Sequence, residues 1–175
     1  MELLAHTRIK YPRDVVFPAI RDKLPELAPH MPNVKSIVVV ERHDEPPIVR
    51  FVNIWTAATE IPAVAQRYVS PDLLKWTDRA SWDSTSYSCD WKIETHAWPG
   101  VVECSGRNTY TVVGDETQLD IRGNLELHIE KASVPRLLAG TVRPIIERII
   151  VTSMRPNLVS IGDAVSLYLQ AQEKR

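Results

Sequence analysis

One acidic residue stands among apolar and aromatic residues near the middle of the chain, in the segment LLKWTDRASWD. Alternate residues of a β-strand share one face, so Asp78 is expected on the same face as Trp76 and Ala80. A carboxylate on an apolar face costs free energy unless it is paired or hydrogen-bonded. Three roles are therefore open: a residue near the sheet rim bonded to a backbone amide, an arginine or water; an anchor for a mostly apolar ligand; or a general acid or base.

Neighbouring strands supply further residues for the same face. Taking the apolar side of each strand as inward predicts Asn108 as a second polar anchor and the aromatic rings as both core and pocket wall. Asn53, between Phe51 and Trp55, lies on a strand whose inward face the sequence leaves ambiguous. The candidate ligand-binding residues are Trp76, Asp78, Ala80, Trp82, Tyr87, Cys89, Trp91, Gly106, Asn108, Tyr110 and Gly123.

Turn lengths predict which of these residues lie side by side in three rows across the sheet. The middle row has small side chains between two bulky rows. Either helix side chains fill that row, or it is a void wide enough to bind a ligand. The predicted rows are Trp82, Tyr87, Tyr110 and Ile121; Ala80, Cys89, Asn108 and Gly123; and Asp78, Trp91, Gly106 and Leu125.

The other reactive residue types show no catalytic or metal-binding spacing. Cys89 and Cys104 form no CxxC motif, and the predicted register separates them by about 13 Å, so both are expected to be free thiols. The five histidines lie on predicted outer faces or loops, without a serine or cysteine partner. Since no glycine-rich nucleotide or phosphate loop is present either, neither a metal nor a cofactor is expected.

Composition argues against several classes of protein. The 175 residues carry a formal net charge of −1 without a basic run, so a nucleic-acid partner is not expected. No stretch approaches the ~20 apolar residues of a membrane span, and Met1 is followed by nothing that resembles a signal peptide, so a cytoplasmic location is expected. The length and the 44% hydrophobic content predict one domain, residues 1–175, with its own core.

The elements that must position the candidate residues are strands followed by one long helix. A strand at the start precedes one or two short helices, which the prolines at 18, 25, 29 and 32 are expected to break into pieces. Six strands joined by short turns follow, which predicts an antiparallel meander with one buried face. The last helix is expected to cover that face, giving an α+β architecture.

The C-terminal segment from Arg136 to Gln170 has helical apolar spacing but contains Pro144 and Pro156. A straight helix of this length would measure roughly 50 Å, longer than the ~40 Å diameter of a compact domain of this size. The prolines are expected to bend or break it so that its apolar stripes reach the core; a second interpretation is a lid over a cavity. The two stripes are Leu138, Val142, Ile145 and Ile149, and Ile146, Ile150, Met154, Leu158, Ile161, Val165 and Tyr168.

This order of elements resembles the START-like, or birch-pollen-allergen-like (SRPBCC), superfamily. The segment YPRDVVFPAIRDKLPELAPHMPNVKSIVVVER is similar to the opening of that fold. The segments EIPAVAQRYVSPDLLKWTDRASWD and VPRLLAGTVRPIIERII are similar to its bacterial polyketide-cyclase-like and PRELI-type lipid-binding branches. The resemblance implies a helix-grip fold: a seven-stranded antiparallel sheet around a long, kinked C-terminal helix, with two short helices after strand 1. It also implies a cavity for a lipid, polyketide, sterol or other hydrophobic molecule, and it carries over no catalytic residue.

Three functions are compatible with these observations. The first is a non-enzymatic binder or carrier of a hydrophobic small molecule or lipid, a role that allows transient contact with a membrane. The second is an enzyme of the cyclase, hydratase or isomerase kind that uses Asp78 in the same cavity. The third is a protein-interaction domain with a filled interior.

Overall fold

The computed structural model describes residues 1–66, 70–132, 137 and 139–174, and within them all side chains except those of 64–65 and 152–159. Buried and more exposed residues alternate along the third and fourth strands, as the period-two pattern predicts. The strands are β1 (Glu2–Ile9), β2 (Val34–Glu45), β3 (Ile48–Ala57), β4 (Lys75–Asp83), β5 (Ser88–Thr95), β6 (Val102–Val113) and β7 (Glu116–Leu127).

Helices lie after β1, after β3 and at the end of the described chain: α1 (Arg13–Asp22), α2 (Leu24–Leu27), α3 (Ala63–Gln66) and α4 (Ala139–Glu173). Pro18 lies inside α1 rather than ending it, so the predicted break at this position is wrong. Pro25 lies in the first turn of α2, where its missing N–H group would have no partner in the helix.

All neighbouring strands of the sheet are antiparallel, in the order β1-β7-β6-β5-β4-β3-β2. Strands β2 to β7 form the predicted meander, and β1 pairs with β7 at one edge. The predicted α+β architecture, a seven-stranded antiparallel sheet with short helices after β1 and a long C-terminal helix, is confirmed.

The pairing of β4 with β5 differs from the predicted register by two residues. Trp82 pairs with Cys89 instead of Tyr87. Tyr87 belongs to the turn between the strands, where it adopts a φ of 49° that a strand residue does not adopt. Leu74 lies in the 3-10 turn Pro71–Leu74 that precedes β4.

The pairing of β6 with β7 is shifted by two residues as well. Tyr110 pairs with Leu119 instead of Ile121. The turn contains two residues, Gly114 and Asp115, and Gly114 has a φ of 63°. A glycine at the first central position favours a two-residue hairpin turn over the four-residue turn that the register prediction assumed.

These shifts place a tryptophan over the glycines of the sheet. In the observed register Trp91 pairs with Gly106, which in turn pairs with Gly123. A Cβ atom on Gly106 would collide with the Trp91 indole and with the carbonyl oxygen of Arg122, and one on Gly123 would lie 2.8 Å from the same indole. Trp91 therefore covers Gly106 and Gly123 from within the sheet. The other three residues of the predicted small row, Ala80, Cys89 and Asn108, line an internal cavity.

Helix α4 runs without interruption from Ala139 to Glu173, so of the two expected effects of the prolines, a bend or a break, the break is absent. The side chain of Pro156 lies outside the described residues. The helix contacts β1, β7, α1 and α2. Gly162 allows its close approach to β1, since a Cβ atom there would collide with the side chain of Thr7.

Both predicted stripes of α4 face the core wherever the structure describes their side chains. Burial of these apolar groups offsets the cost of about 3 kcal/mol that an interior proline imposes on a helix. Leu138, Met154 and Leu158 lie outside the described side chains. The buried stripe residues are Val142, Ile146, Ile149, Ile150, Ile161 and Val165, with Ile145 and Tyr168 partly buried.

Replacement of Gly106 by alanine should destabilise the protein by about 3 kcal/mol, because the added methyl group displaces the Trp91 indole or bends the backbone at Arg122. Urea unfolding measures the change. Gly140→Ala is the matched control: no atom lies within 4 Å of a Cβ atom at this position in α4, so stability should stay constant or rise by up to ~1 kcal/mol. Equal effects of the two substitutions would contradict the packing of Trp91 described above.

Candidate functional site

An internal cavity lies between the inner face of the sheet and helices α1, α2 and α4. The cavity volume is about 80 Å³, several times the ~10–15 Å³ that one water molecule requires. Together with the open region at its mouth, the space between the lining residues is about 690 Å³. The lining residues are Ile20, Leu24, Trp55, Trp76, Asp78, Ala80, Trp82, Cys89, Trp91, Ile93, Asn108, Ile121 and Ile161.

Asp78 lies in the wall of this cavity and is held by a neighbouring strand. Strand pairing sets Asn53 of β3 directly opposite Asp78 of β4. The Asn53 amide nitrogen, Nδ2, donates a hydrogen bond of 3.1 Å to Asp78 Oδ2. Among the described residues, the hydrogen-bond partner of Asp78 is thus a buried side-chain amide. Asn53 is 1% exposed, which settles its inward orientation.

The surroundings of Asp78 change its acidity. Burial raises the pKa of its carboxyl group from 3.8 to about 6, while the Asn53 and Trp55 side chains act in the opposite direction by stabilising the charged form. Near neutral pH the residue is largely ionised, and a small fall in pH protonates it. Both states are therefore accessible to a bound molecule or a reaction.

Aromatic rings form the wall next to Asp78. The indoles of Trp55 and Trp76, directly paired across β3 and β4, are stacked with centroids 5.8 Å apart and planes at 20°. Trp82 completes the wall towards α1, where Phe17 meets it edge-on at 5.3 Å. Two buried polar atoms close to Asp78 lack a hydrogen bond of good geometry among the described residues. They are Asn53 Oδ1 and Trp55 Nε1, whose N–H group nevertheless favours the charged form of Asp78.

Asn108, the second expected anchor, is hydrogen-bonded to a tryptophan side chain. Its Oδ1 accepts a hydrogen bond of 2.8 Å from the indole N–H of Trp91. This bond fixes the ring that covers Gly106 and Gly123, so Asn108 positions the cavity wall even though its side chain also lines the space.

Seven of the eleven candidate residues meet at this cavity and four do not. Tyr87 lies in the turn after β4, with the Arg13 guanidinium 3.5 Å from its ring centroid. Tyr110 packs edge-on against Phe17, at 5.2 Å, outside the lining. Gly106 and Gly123 lie beneath Trp91. The seven are Trp76, Asp78, Ala80, Trp82, Cys89, Trp91 and Asn108, and their role in ligand binding stays a prediction.

Six lining residues were absent from the candidate set. Alternation already placed Ile93 and Ile121 on the inner face, and the position of Trp55 opposite Trp76 would have identified it. The helical residues Ile20, Leu24 and Ile161 carry no signal of this kind, because helical spacing marks a buried stripe without showing which part of the sheet it meets.

Outside the cavity, one group on the outer face could hold a metal ion. Glu103, Glu126 and His128 each bring one potential ligand atom within 4.8 Å of the others. Their polar atoms already have partners: His128 Nε2 lies 3.4 Å and Lys131 Nζ 3.9 Å from Glu103 Oε1, and Asn124 donates to Glu126 at 2.8 Å. A network of this kind on an exposed face accounts for the grouping without a metal.

Comparison with known proteins identifies the fold. No family model and no curated protein matches the chain. The Zhui aromatase/cyclase from Streptomyces sp. R1128 superposes with a TM-score of 0.65 at 14% sequence identity, over 98% of this chain and 97% of that one. Ara h 8.0201 gives 0.57 at 15% identity, covering 98% of both chains. A START superfamily protein from Mycobacterium smegmatis gives 0.52 at 10% identity, again covering 98% of both chains.

The chain has the START-like helix-grip fold.

Within this START-like fold the two cysteines are free and buried. Burial raises the pKa of the Cys89 thiol well above its usual value and that of Cys104 to about 12, so neither is a thiolate nucleophile at neutral pH. No helix among the described residues combines the length and the apolar content needed to cross a membrane.

Asp78→Asn should change how stability depends on pH. The folded-state pKa of about 6 exceeds the ordinary 3.8, so the folded protein binds this proton more tightly than the unfolded chain does. The resulting stabilisation is complete below pH 3.8 and is lost as pH rises through 6, by about 3 kcal/mol in total. Because asparagine does not ionise, the free energy of unfolding of the variant should rise relative to wild type by up to about 3 kcal/mol between pH 4 and pH 7.

Urea unfolding at both pH values measures this difference. Ser81→Ala, on the opposite face of the same strand, removes no ionisable group, and its effect should be equal at the two pH values. A pH-independent difference for Asp78→Asn would show that Asp78 is not buried as described.

Proposed function

We propose that this protein binds a compact hydrophobic small molecule in the cavity between its sheet and its helices. The observation that carries the proposal is the cavity itself, walled by indoles and aliphatic side chains around one buried carboxylate. An apolar pocket with a few convergent polar groups is the usual form of a small-molecule site.

The loss of folding stability caused by the buried Asp78 carboxylate supports the same proposal. An ionised carboxylate in this position lowers the stability of the folded protein at neutral pH, whereas an apolar or amide residue would not. The Asn53 bond offsets part of that cost without removing it. A residue with this effect on stability is expected where it contacts a ligand.

The structural neighbours support a ligand in this place as well. One is named as an aromatase/cyclase and another as a START superfamily protein, and the fold places a cavity between sheet and helix in this chain too. The cavity volume of about 80 Å³ favours a small ligand.

Acid–base catalysis in the same cavity is the second candidate function. The observation that favours it is the raised pKa of Asp78, about 6, which lets the residue both accept and donate a proton near neutral pH. The third function expected from the sequence, a protein-interaction domain, required a filled interior. The open space next to Asp78 counts against it.

Filling the cavity should weaken the binding of an apolar probe. Ala80→Leu adds three carbon atoms to the lining, so calorimetric titration with toluene should show affinity at least ~10-fold lower than wild type. Ser81→Leu is the matched control: it adds the same kind of side chain to the next residue of β4, on the opposite face, and should leave toluene affinity unchanged.

Ile161→Phe fills the same space from α4, so a poorly folded Ala80→Leu protein does not decide the question. Circular dichroism verifies the fold of each variant. Equal toluene affinity in the wild type and both filled variants would contradict the proposal.

Asp78→Asn separates binding from catalysis. The natural ligand is first extracted from protein purified from its own host, identified by mass spectrometry and then incubated with each protein. A binder should return the compound chemically unchanged from both the wild type and the variant. Conversion by the wild type that is lost in Asp78→Asn would establish the acid–base role.

A further inference from the structure

The charge inside the cavity comes from one residue. Among the described lining residues, Asp78 and Cys89 carry the ionisable groups. Burial and the nearby Asp78 carboxylate raise the pKa of the Cys89 thiol, which is therefore neutral. Asp78 thus contributes a negative charge that no described lining residue balances.

The neutral groups around Asp78 are arranged to support its charged form. Asn53 turns its amide nitrogen towards the carboxylate, and the Trp55 side chain also stabilises the anion. Donors that face a carboxylate favour its ionised state. These donors offset part of the cost of the buried anion, although burial still raises the pKa of Asp78 to about 6.

Indole rings surround that anion. Trp55, Trp76, Trp82 and Trp91 all line the cavity, and the first two are stacked at 5.8 Å beside Asp78. The face of an indole has negative electrostatic potential and attracts cations more strongly than any other aromatic side chain does. A carboxylate together with several indole rings is complementary to a positive charge.

A positively charged donor suits the Asp78 carboxylate better than a neutral one does. A hydroxyl group has one proton to donate and carries no charge. A protonated primary amine has three N–H donors and a positive charge, so it can donate to the carboxylate and balance its charge.

We propose that the ligand of this cavity is a small aromatic amine, whose ammonium group pairs with Asp78 and whose ring packs among the tryptophans. This inference rests on the proposed function, because it names the chemical class that the same cavity binds. The small cavity favours an amine with a compact apolar part.

Three probes of nearly equal shape test whether the ligand must carry a positive charge. They are benzylamine, benzyl alcohol and toluene, each titrated calorimetrically at pH 7.5 into the full-length protein. The wild type should bind benzylamine at least ~30-fold more tightly than benzyl alcohol, as expected for a buried charge pair. Asp78→Asn should reduce this ratio to about one. Asp90→Asn, the same substitution on the exposed face of β5, where Asp90 pairs with Arg107, should leave the ratio at its wild-type value.

Each other outcome identifies which proposal fails. If toluene or benzyl alcohol binds the wild type as tightly as benzylamine does, the cavity is a hydrophobic site and the amine inference is wrong. If the preference for benzylamine persists in Asp78→Asn, a group other than Asp78 is responsible and the inference is wrong as well. If none of the probes binds the wild type, the proposed function fails together with the inference. Should Asp78→Asn not fold, Asp78→Ser replaces it, and the wild-type ratio stands independently.

Discussion

The contact between the Trp91 indole and the backbone at Gly106 and Gly123 fixes the interior of this protein. An indole can occupy the middle of the sheet because the two glycines, side by side on β6 and β7, leave room for it. The bond from Trp91 to Asn108 then holds the ring in one orientation. The open space is lined by residues of strands β3 to β7, with Asp78 and the stacked indoles of Trp55 and Trp76 on β3 and β4.

Folding stability favours a neutral residue at position 78, whereas the proposed function uses the charge of Asp78. The packed core around it would be more stable with a neutral residue, yet Asn53 and Trp55 are placed so that the charged form is retained. The opposite solution is visible elsewhere in the chain. Asp90 and Arg107 pair at 2.7 Å on the exposed face, where a charge costs little. The contrast sets Asp78 apart as a group whose charge is kept in spite of its position.

Alternation along the strands was sufficient to predict the inner face, and with it the inward positions of Asp78 and Trp91. The registers could not be predicted in the same way. Because side chains alternate with a period of two, a slip of two residues leaves every apolar residue on its original face. Turn geometry alone distinguishes the alternatives, and it depends on the positive φ angles of Tyr87 and Gly114. The predicted row of small residues inherited that error, yet Ala80, Cys89 and Asn108, three of its four members, line the cavity. The contribution of Ile161 was hidden for another reason, since it depends on how α4 is placed against strands far away in the sequence.

The position of the tryptophans makes the intrinsic fluorescence of the protein sensitive to the contents of the cavity. The chain contains five tryptophans, and four of them line the cavity. Indole emission responds to the polarity and charge around the ring, and here most emitting rings border the same small space with a carboxylate in it. The ultraviolet fluorescence of the native protein is therefore largely a signal from that space, so its spectrum should register an entering molecule without any added label.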